Sequence, residues 1–256
     1  MSDGKAGNRN SRRVFVIGMA GAVAAASATV AALAKTQQAA TTGPALAPKQ
    51  YGMLIDTRRC IGCHACTVSC KSEHDVPMGV NRGWVEYVEK GEYPYVGRSF
   101  LPRLCNHCSS PQCVTVCPTG ATYKRPEDGI VVVDDGVCIG CAYCIQACPY
   151  DARFLNPVTH FADKCDFCIH RVSVGLAPAC VTTCVGGARI FGDVDDPGSE
   201  IARRIASEPV TVLRREIGTR PNVYYVGADH ADPTDAHGRR AEHIRITTHT
   251  RHGKRR

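Results

Sequence analysis

An α+β fold made of two interleaved, duplicated units is predicted for this 256-residue sequence. Three observations predict it. The 16 cysteines fall into four groups with none left over. The first group resembles the third and the second resembles the fourth. Short β-branched runs bracket the groups, with turn residues between them.

Taken in order, the chain opens on a targeting segment, residues 1–34. Asn10-Ser11-Arg12-Arg13-Val14-Phe15 leads into an Ala- and Gly-rich, weakly apolar run from Val14 to Ala34, and Ala32-Leu33-Ala34 offers a small-x-small cleavage site. Paired arginines ahead of a mild apolar stretch match a twin-arginine (Tat) signal, the route for proteins exported already folded. The expected location is therefore the periplasmic side of the cytoplasmic membrane. An N-terminal membrane anchor is the alternative, since a run of roughly 20 residues is long enough to span. Residues 35–50, rich in Thr, Gln, Ala and Pro, read as a linker.

The domain itself is expected over 51–194. Cys60, Cys63, Cys66 and Cys70 form the first group and Cys138, Cys141, Cys144 and Cys148 the third, both spaced C-x2-C-x2-C-x3-C. That is the bacterial ferredoxin run, in which three thiolates hold one iron–sulfur cluster and the fourth reaches a neighbouring one. Cys105, Cys108, Cys113 and Cys117 make the second group, and Cys165, Cys168, Cys180 and Cys184 the fourth. Three thiolates on one short loop curl around a corner of a cube, and Gly62 and Gly140 are expected to relieve the backbone there. Zinc is the rival metal, because C-x2-C pairs also build tetrahedral sites. Disulfides are the alternative for an exported chain. Cysteines three apart, repeated within one loop, would however close tiny strained rings.

The repeat extends beyond the cysteines. Met53-Leu54-Ile55-Asp56 precedes Cys60 as Val131-Val132-Val133-Asp134 precedes Cys138, and Cys113–Ala121 matches Cys180–Ala188. Ala121-Thr122-Tyr123 and Ile130–Val133 flank Glu127-Asp128-Gly129, a hairpin signal that joins groups two and three into an inner unit. By analogy Ala188-Arg189-Ile190-Phe191 is expected to pair with Met53-Leu54-Ile55, closing an outer unit from groups one and four. Both units are bacterial-ferredoxin-like. Crossed ligation then gives four sets: Cys60, Cys63, Cys66 and Cys184 (set a); Cys165, Cys168, Cys180 and Cys70 (set b); Cys105, Cys108, Cys113 and Cys148 (set c); Cys138, Cys141, Cys144 and Cys117 (set d). A sequential arrangement, group one with two and three with four, is the alternative.

Residues 71–104 form an insertion carrying Trp84, Tyr87, Tyr93, Tyr95 and Phe100, to be read either as packing over the clusters or as a docking surface. In a C-terminal extension, 195–227, Glu200–Glu208 suits a short helix and Val223–Val226 a strand. The tail, 228–256, is polar and is expected to be disordered. The net charge of +7 sits mainly in the two termini, so the folded part is nearly neutral and gives no case for nucleic acid binding. No nucleophile–base arrangement, Walker loop or dinucleotide fingerprint occurs, so no catalytic residue is expected.

Arg103-Leu104-Cys105-Asn106-His107-Cys108, Cys148-Pro149-Tyr150-Asp151-Ala152-Arg153 and Asp163-Lys164-Cys165-Asp166-Phe167-Cys168 resemble the four-cluster β subunits of complex molybdenum oxidoreductases over about residues 50–227. Within that class, Ala179–Ile190 and the export signal are most similar to the tetrathionate reductase B subunits. The resemblance implies an electron-transfer subunit, not catalytic on its own. It would relay electrons from an integral membrane quinol-oxidising subunit to a molybdopterin-containing catalytic subunit. Polysulfide or thiosulfate reductase and a nitrite-reductase quinol-oxidising complex are its close alternatives; a zinc-stabilised scaffold is the reading from another class. Some relatives replace one ligand and carry a [3Fe–4S] centre. Here all 16 positions are Cys, which implies four [4Fe–4S] cubanes.

Overall fold

Strand pairing follows the repeat. In the structure, a computed structural model, residues 48–228 and the strand Arg245–Thr248 are described. The export signal and most of the linker lie outside the described residues, as does the rest of the tail. β1 (Tyr51–Asp56) runs antiparallel to β8 (Arg189–Asp193), with Leu54 opposite Ile190 and Met53 opposite Phe191. The strand after group four thus closes onto the strand before group one, as expected. The inner unit is closed by the hairpin of β4 (Thr122–Lys124) and β5 (Val131–Val133), with Tyr123 opposite Val132. The end of the expected linker is tied down, since the Lys49 and Tyr51 N–H groups each donate over 3.0 Å, to the Glu127 and Asp128 carbonyls.

A third hairpin goes beyond the sequence expectation. β6 (Arg153–Leu155) and β7 (Ala162–Lys164) pair between groups three and four, with Phe154 opposite Asp163. The side chain of Asn156 closes its turn by accepting from the Val158 and Thr159 N–H groups. Arg153 and Lys164 are buried strand residues, so the apolar alternation that marks a strand is broken by two cations.

Helical turns carry the cysteines. α1 (Ala65–Glu73) holds Cys66 and Cys70; α2 (Gln112–Thr115) holds Cys113; α3 (Tyr143–Gln146) holds Cys144. α4 (Ile169–Val172) follows Cys168 and α5 (Ala179–Thr182) holds Cys180. Each is too short to be stable alone and depends on tertiary contacts.

The C-terminal extension is part of the domain, not an appendage. α6 (Glu200–Ser207) starts at Ser199, whose Oγ accepts the Ala202 N–H, and it buries Ile201 against Leu54, Ile190 and Val226. β9 (Val210–Thr211) and β10 (Val223–Val226) complete a four-stranded sheet in the order β8-β1-β10-β9, with β10 parallel to β1. Beyond α6 the chain also clamps the group-two loop. Asn222 donates from Nδ2 to the His107 carbonyl (2.7 Å) and from its own N–H to that of Asn106 (2.9 Å). The principal core lies between this sheet and the cysteine loops, around Met53, Ile55, Phe167, Val223 and Tyr225.

The 71–104 insertion forms a long hairpin of β2 (Gly83–Lys90) and β3 (Gly97–Leu104). β11 (Arg245–Thr248) lies antiparallel along the outer edge of β2, Ile246 opposite Val88. The disorder expected over 228–256 therefore gives way at these four residues. The free edge of an eight-residue strand presents unpaired backbone groups, and the β-branched Ile246-Thr247-Thr248 suits an added strand. Among the described residues no helix is long and apolar enough to cross a membrane.

Candidate metal centres

Each ferredoxin-type loop is bent by left-handed residues at matching places. Gly62 and Gly140, between the first two cysteines of their groups, have φ of 69° and 68°. His64 and Ala142, between the second and third, have φ of 58° and 64°. The glycines are also closely approached. A Cβ on Gly62 would lie 2.4 Å from the Phe100 ring and one on Gly140 2.5 Å from the His160 carbonyl oxygen. The crowding at these glycines comes from a roofing aromatic in one case and the β6–β7 turn in the other.

The loops bring thiols together in crossed sets. Cys60, Cys63, Cys66 and Cys184 line one space, with Arg59, Gly186 and Arg189. Cys105, Cys108, Cys113 and Cys148 line another, with Tyr150, Arg153 and Thr219. These are sets a and c; the sequential arrangement would put neither Cys184 nor Cys148 there. For set b, α1, which carries Cys70, packs on α5, which carries Cys180. Burial, then Cys180 and Cys168, push Cys70 up to about 12, and burial, Cys70, Asp166 and Cys180 raise Cys165. For set d, α2, which ends two residues before Cys117, packs on α3, which carries Cys144. Cys144 is buried and Cys141 exposed.

All 16 cysteines are free thiols. Most whose acidity is perturbed are made weaker acids. Burial and neighbouring thiols raise Cys108 and Cys168 to about 12 and Cys148 to about 11. Thiols gathered in fours give up their protons together to a cationic centre, so the donor sets fit thiolate-ligated iron. Cys117 departs from the rest. Its modest burial is outweighed by the Thr122 N–H at 3.4 Å and groups of Thr119 and Gly120, which bring it down to about 7. The Ala188 N–H donates likewise to Cys184 Sγ (3.2 Å) and the Phe167 N–H to Cys165 Sγ (3.4 Å). Such donors favour the thiolate and set the potential of the metal it binds.

The duplication shows in side chains as well. His107, between Cys105 and Cys108, stacks on Phe167, between Cys165 and Cys168, at a 3.7 Å centroid distance, and both are fully buried. Burial, with Lys164 and Arg153 nearby, holds His107 neutral. Its Nδ1 accepts the Val131 N–H. This stack joins the inner unit to the outer.

The aromatic insertion divides between its two readings. Val85 and Pro102 line the set-a space, Phe100 lies over Gly62, and the Tyr87 hydroxyl donates to the Gly62 carbonyl at 2.9 Å. Trp84 is buried beneath the Arg103 guanidinium, 5.5 Å from its ring centroid. Tyr93 and Tyr95, at the hairpin tip, are exposed.

The residues that sequence reasoning passed over are polar. Arg153 and Arg189 are buried and donate to Cys113 and Cys66 Sγ at 3.1 and 3.5 Å. The Lys164 ammonium is buried and donates to the Val131 and Cys165 carbonyls. His74, Asp166 and Cys168 also cluster, with His74 Nε2 3.1 Å from Cys168 Sγ. Arg82 contacts both His74 and Asp166, so this trio is a polar shell around set b and not a cation site of its own. The detectable signal was the repeat Ala152-Arg153 and Ala188-Arg189, each arginine five residues after the last cysteine of its group.

Two family models, each described as a 4Fe-4S dicluster domain, match residues 96–194 and 59–122. The tetrathionate reductase B subunit of Salmonella typhimurium is 55% identical over 194 residues, 74% of this chain and 77% of that protein. Protein NrfC of Escherichia coli K12 is 42% identical over 219 residues, covering 84% of this chain and 95% of its own. The polysulfide reductase B subunit of Wolinella succinogenes is 44% identical over 181 residues, covering 70% and 94%.

Proposed function

The chain belongs to the family of iron–sulfur electron-transfer subunits that includes NrfC and the B subunits of tetrathionate and polysulfide reductases, and from that membership we propose that it is the electron relay of a tetrathionate reductase. The observation that carries the relay is the pair of spaces lined by four thiols each, drawn from two distant cysteine groups. Sets a, b, c and d would hold four [4Fe–4S] clusters, which supply one-electron carriers. The chain's own contribution is to fix the ligands, shield them with the β2–β3 hairpin and direct N–H groups at the sulfurs.

In this reading an integral membrane subunit oxidises quinol, releasing two electrons and two protons. The electrons cross this chain to a molybdopterin-containing subunit. There tetrathionate accepts both and its central S–S bond breaks to give two thiosulfates. The chain is then not an enzyme alone. Polysulfide reduction is the second reading, supported by the 44% identity to the Wolinella protein. The Arg12-Arg13 motif supports Tat export to the periplasmic face.

The test compares two electron donors in membranes containing the assembled complex and in membranes lacking this chain. Quinol-driven tetrathionate reduction should vanish without it, while a soluble dye donor should still drive the catalytic subunit. Unchanged quinol-driven activity would remove the relay role. Quinol-driven activity with polysulfide alone would move the substrate to the second reading.

A further inference from the structure

Arg189 and Arg153 are, with Lys164, the most deeply buried cations among the described residues, 5% and 2% exposed. They occupy equivalent places, each five residues after the last cysteine of its group, at the start of β8 and β6. Arg189 donates from Nη2 to Cys66 Sγ (3.5 Å), and from Nη1 to Cys180 Sγ (3.9 Å) and Met53 Sδ (3.5 Å). Cys66 belongs to set a and Cys180 to set b. Arg153 donates from Nη2 to Cys113 Sγ (3.1 Å) and from Nη1 to Thr122 Oγ1 (3.2 Å). Cys113 belongs to set c, and β6, which begins at Arg153, packs against α3, which carries Cys144 of set d; the charge neighbours of Arg153 include Cys105 and Cys148 of set c as well as Cys144. No carboxylate stands among the strongest charge neighbours of either arginine.

A guanidinium stays charged at any pH the protein meets, and burying one without an anion is costly. Among the described residues the strongest charge neighbours of the two arginines are cysteine sulfurs, with Tyr225 also beside Arg189, and a cysteine that holds metal does so as the thiolate. We propose that Arg189 and Arg153 are the charge-balancing residues of the outer and inner units, each shared by two clusters and holding both reduction potentials up. This rests on the sixteen cysteines being the ligands of four clusters. The physics is direct. Adding one electron to a thiolate-ligated cluster adds one negative charge, and a fixed cation beside it favours that state. A cation between two clusters acts on each of them, so both potentials rise together.

The test uses the full chain, purified anaerobically, with iron and labile sulfide measured before redox-poised EPR. Arg189→Gln removes the charge and keeps a hydrogen-bond donor. It should lower the reduced-to-oxidised ratio of two centres at least tenfold at a fixed potential, about 59 mV for a one-electron couple. The other two centres should be unmoved. Arg153→Gln should shift the complementary pair, and Arg189→Lys, which keeps the charge, should retain most of the original ratio. The proposal is overturned if fully loaded Arg189→Gln titrates like the unsubstituted chain. It is also overturned if one centre or all four move, or if Lys costs as much as Gln. Should one glutamine variant fail to take up iron, the other carries the same test on its own unit. An unsubstituted chain without labile sulfide would instead sink the cluster reading beneath it.

Discussion

Substituting alanine at three glycines separates backbone strain from collision. Gly120, Gly62 and Gly140 share nearly the same left-handed φ, 71°, 69° and 68°. A left-handed conformation costs a residue with a Cβ about 1–2 kcal/mol. Around Gly120 there is open space, so Gly120→Ala pays strain alone; for a domain of this size that lowers the unfolding midpoint by about 2–8 °C. At Gly140 the new methyl would sit 2.5 Å from the His160 carbonyl oxygen, against roughly 3.3 Å for an ordinary C···O contact. That oxygen belongs to the backbone of the β6–β7 turn, so the turn must move. The cost rises to roughly 3–5 kcal/mol, near the upper end for single substitutions, and the midpoint falls by about 6–20 °C. At Gly62 the obstacle is the Phe100 ring at 2.4 Å, a side chain, and Phe100→Ala should return the added cost of Gly62→Ala to strain alone. The assay is circular dichroism at a fixed heating rate on loaded, anaerobic protein. Equal losses at Gly140 and Gly120, or no relief of Gly62→Ala by Phe100→Ala, would refute the reasoning.

Two further outcomes follow from the geometry. Cys184→Ser should alter the same EPR signal as Cys63→Ser, and Cys70→Ser that of Cys168→Ser, because those thiols belong to crossed sets a and b; a match between Cys184→Ser and Cys141→Ser would restore the sequential arrangement. Replacing Arg12 and Arg13 by Lys keeps the charge and should strand the folded protein in the cytoplasm, whereas normal periplasmic appearance would exclude the Tat reading.

The closure of the outer unit was legible because β1 and β8 are apolar strands next to matching cysteine groups, so Met53–Ile55 and Ile190-Phe191 announced their pairing. The β6–β7 hairpin was not. Its buried faces carry Arg153 and Lys164, and a cation inside a strand reads as surface unless an anionic neighbour is known. The extension was half legible. The runs Glu200–Glu208 and Val223–Val226 marked the elements, but nothing local says that β10 lies parallel to β1. The clamp of Asn222 on the group-two loop joins residues more than a hundred apart. At the sites, spacing located the thiols while their electrostatic surroundings stayed hidden. Arg189 reaches Cys66 across 123 positions of sequence, and His74 reaches Cys168 across 94. The β11 strand escaped notice because its partner edge, not its own polar setting, makes it a strand.

Metal analysis of the whole chain, purified without oxygen, tests the central claim most directly. Four cubanes require about 16 irons and about 16 acid-labile sulfides per chain, with a broad brown absorbance that bleaches on reduction. Stoichiometric zinc with no labile sulfide would contradict the account at its root.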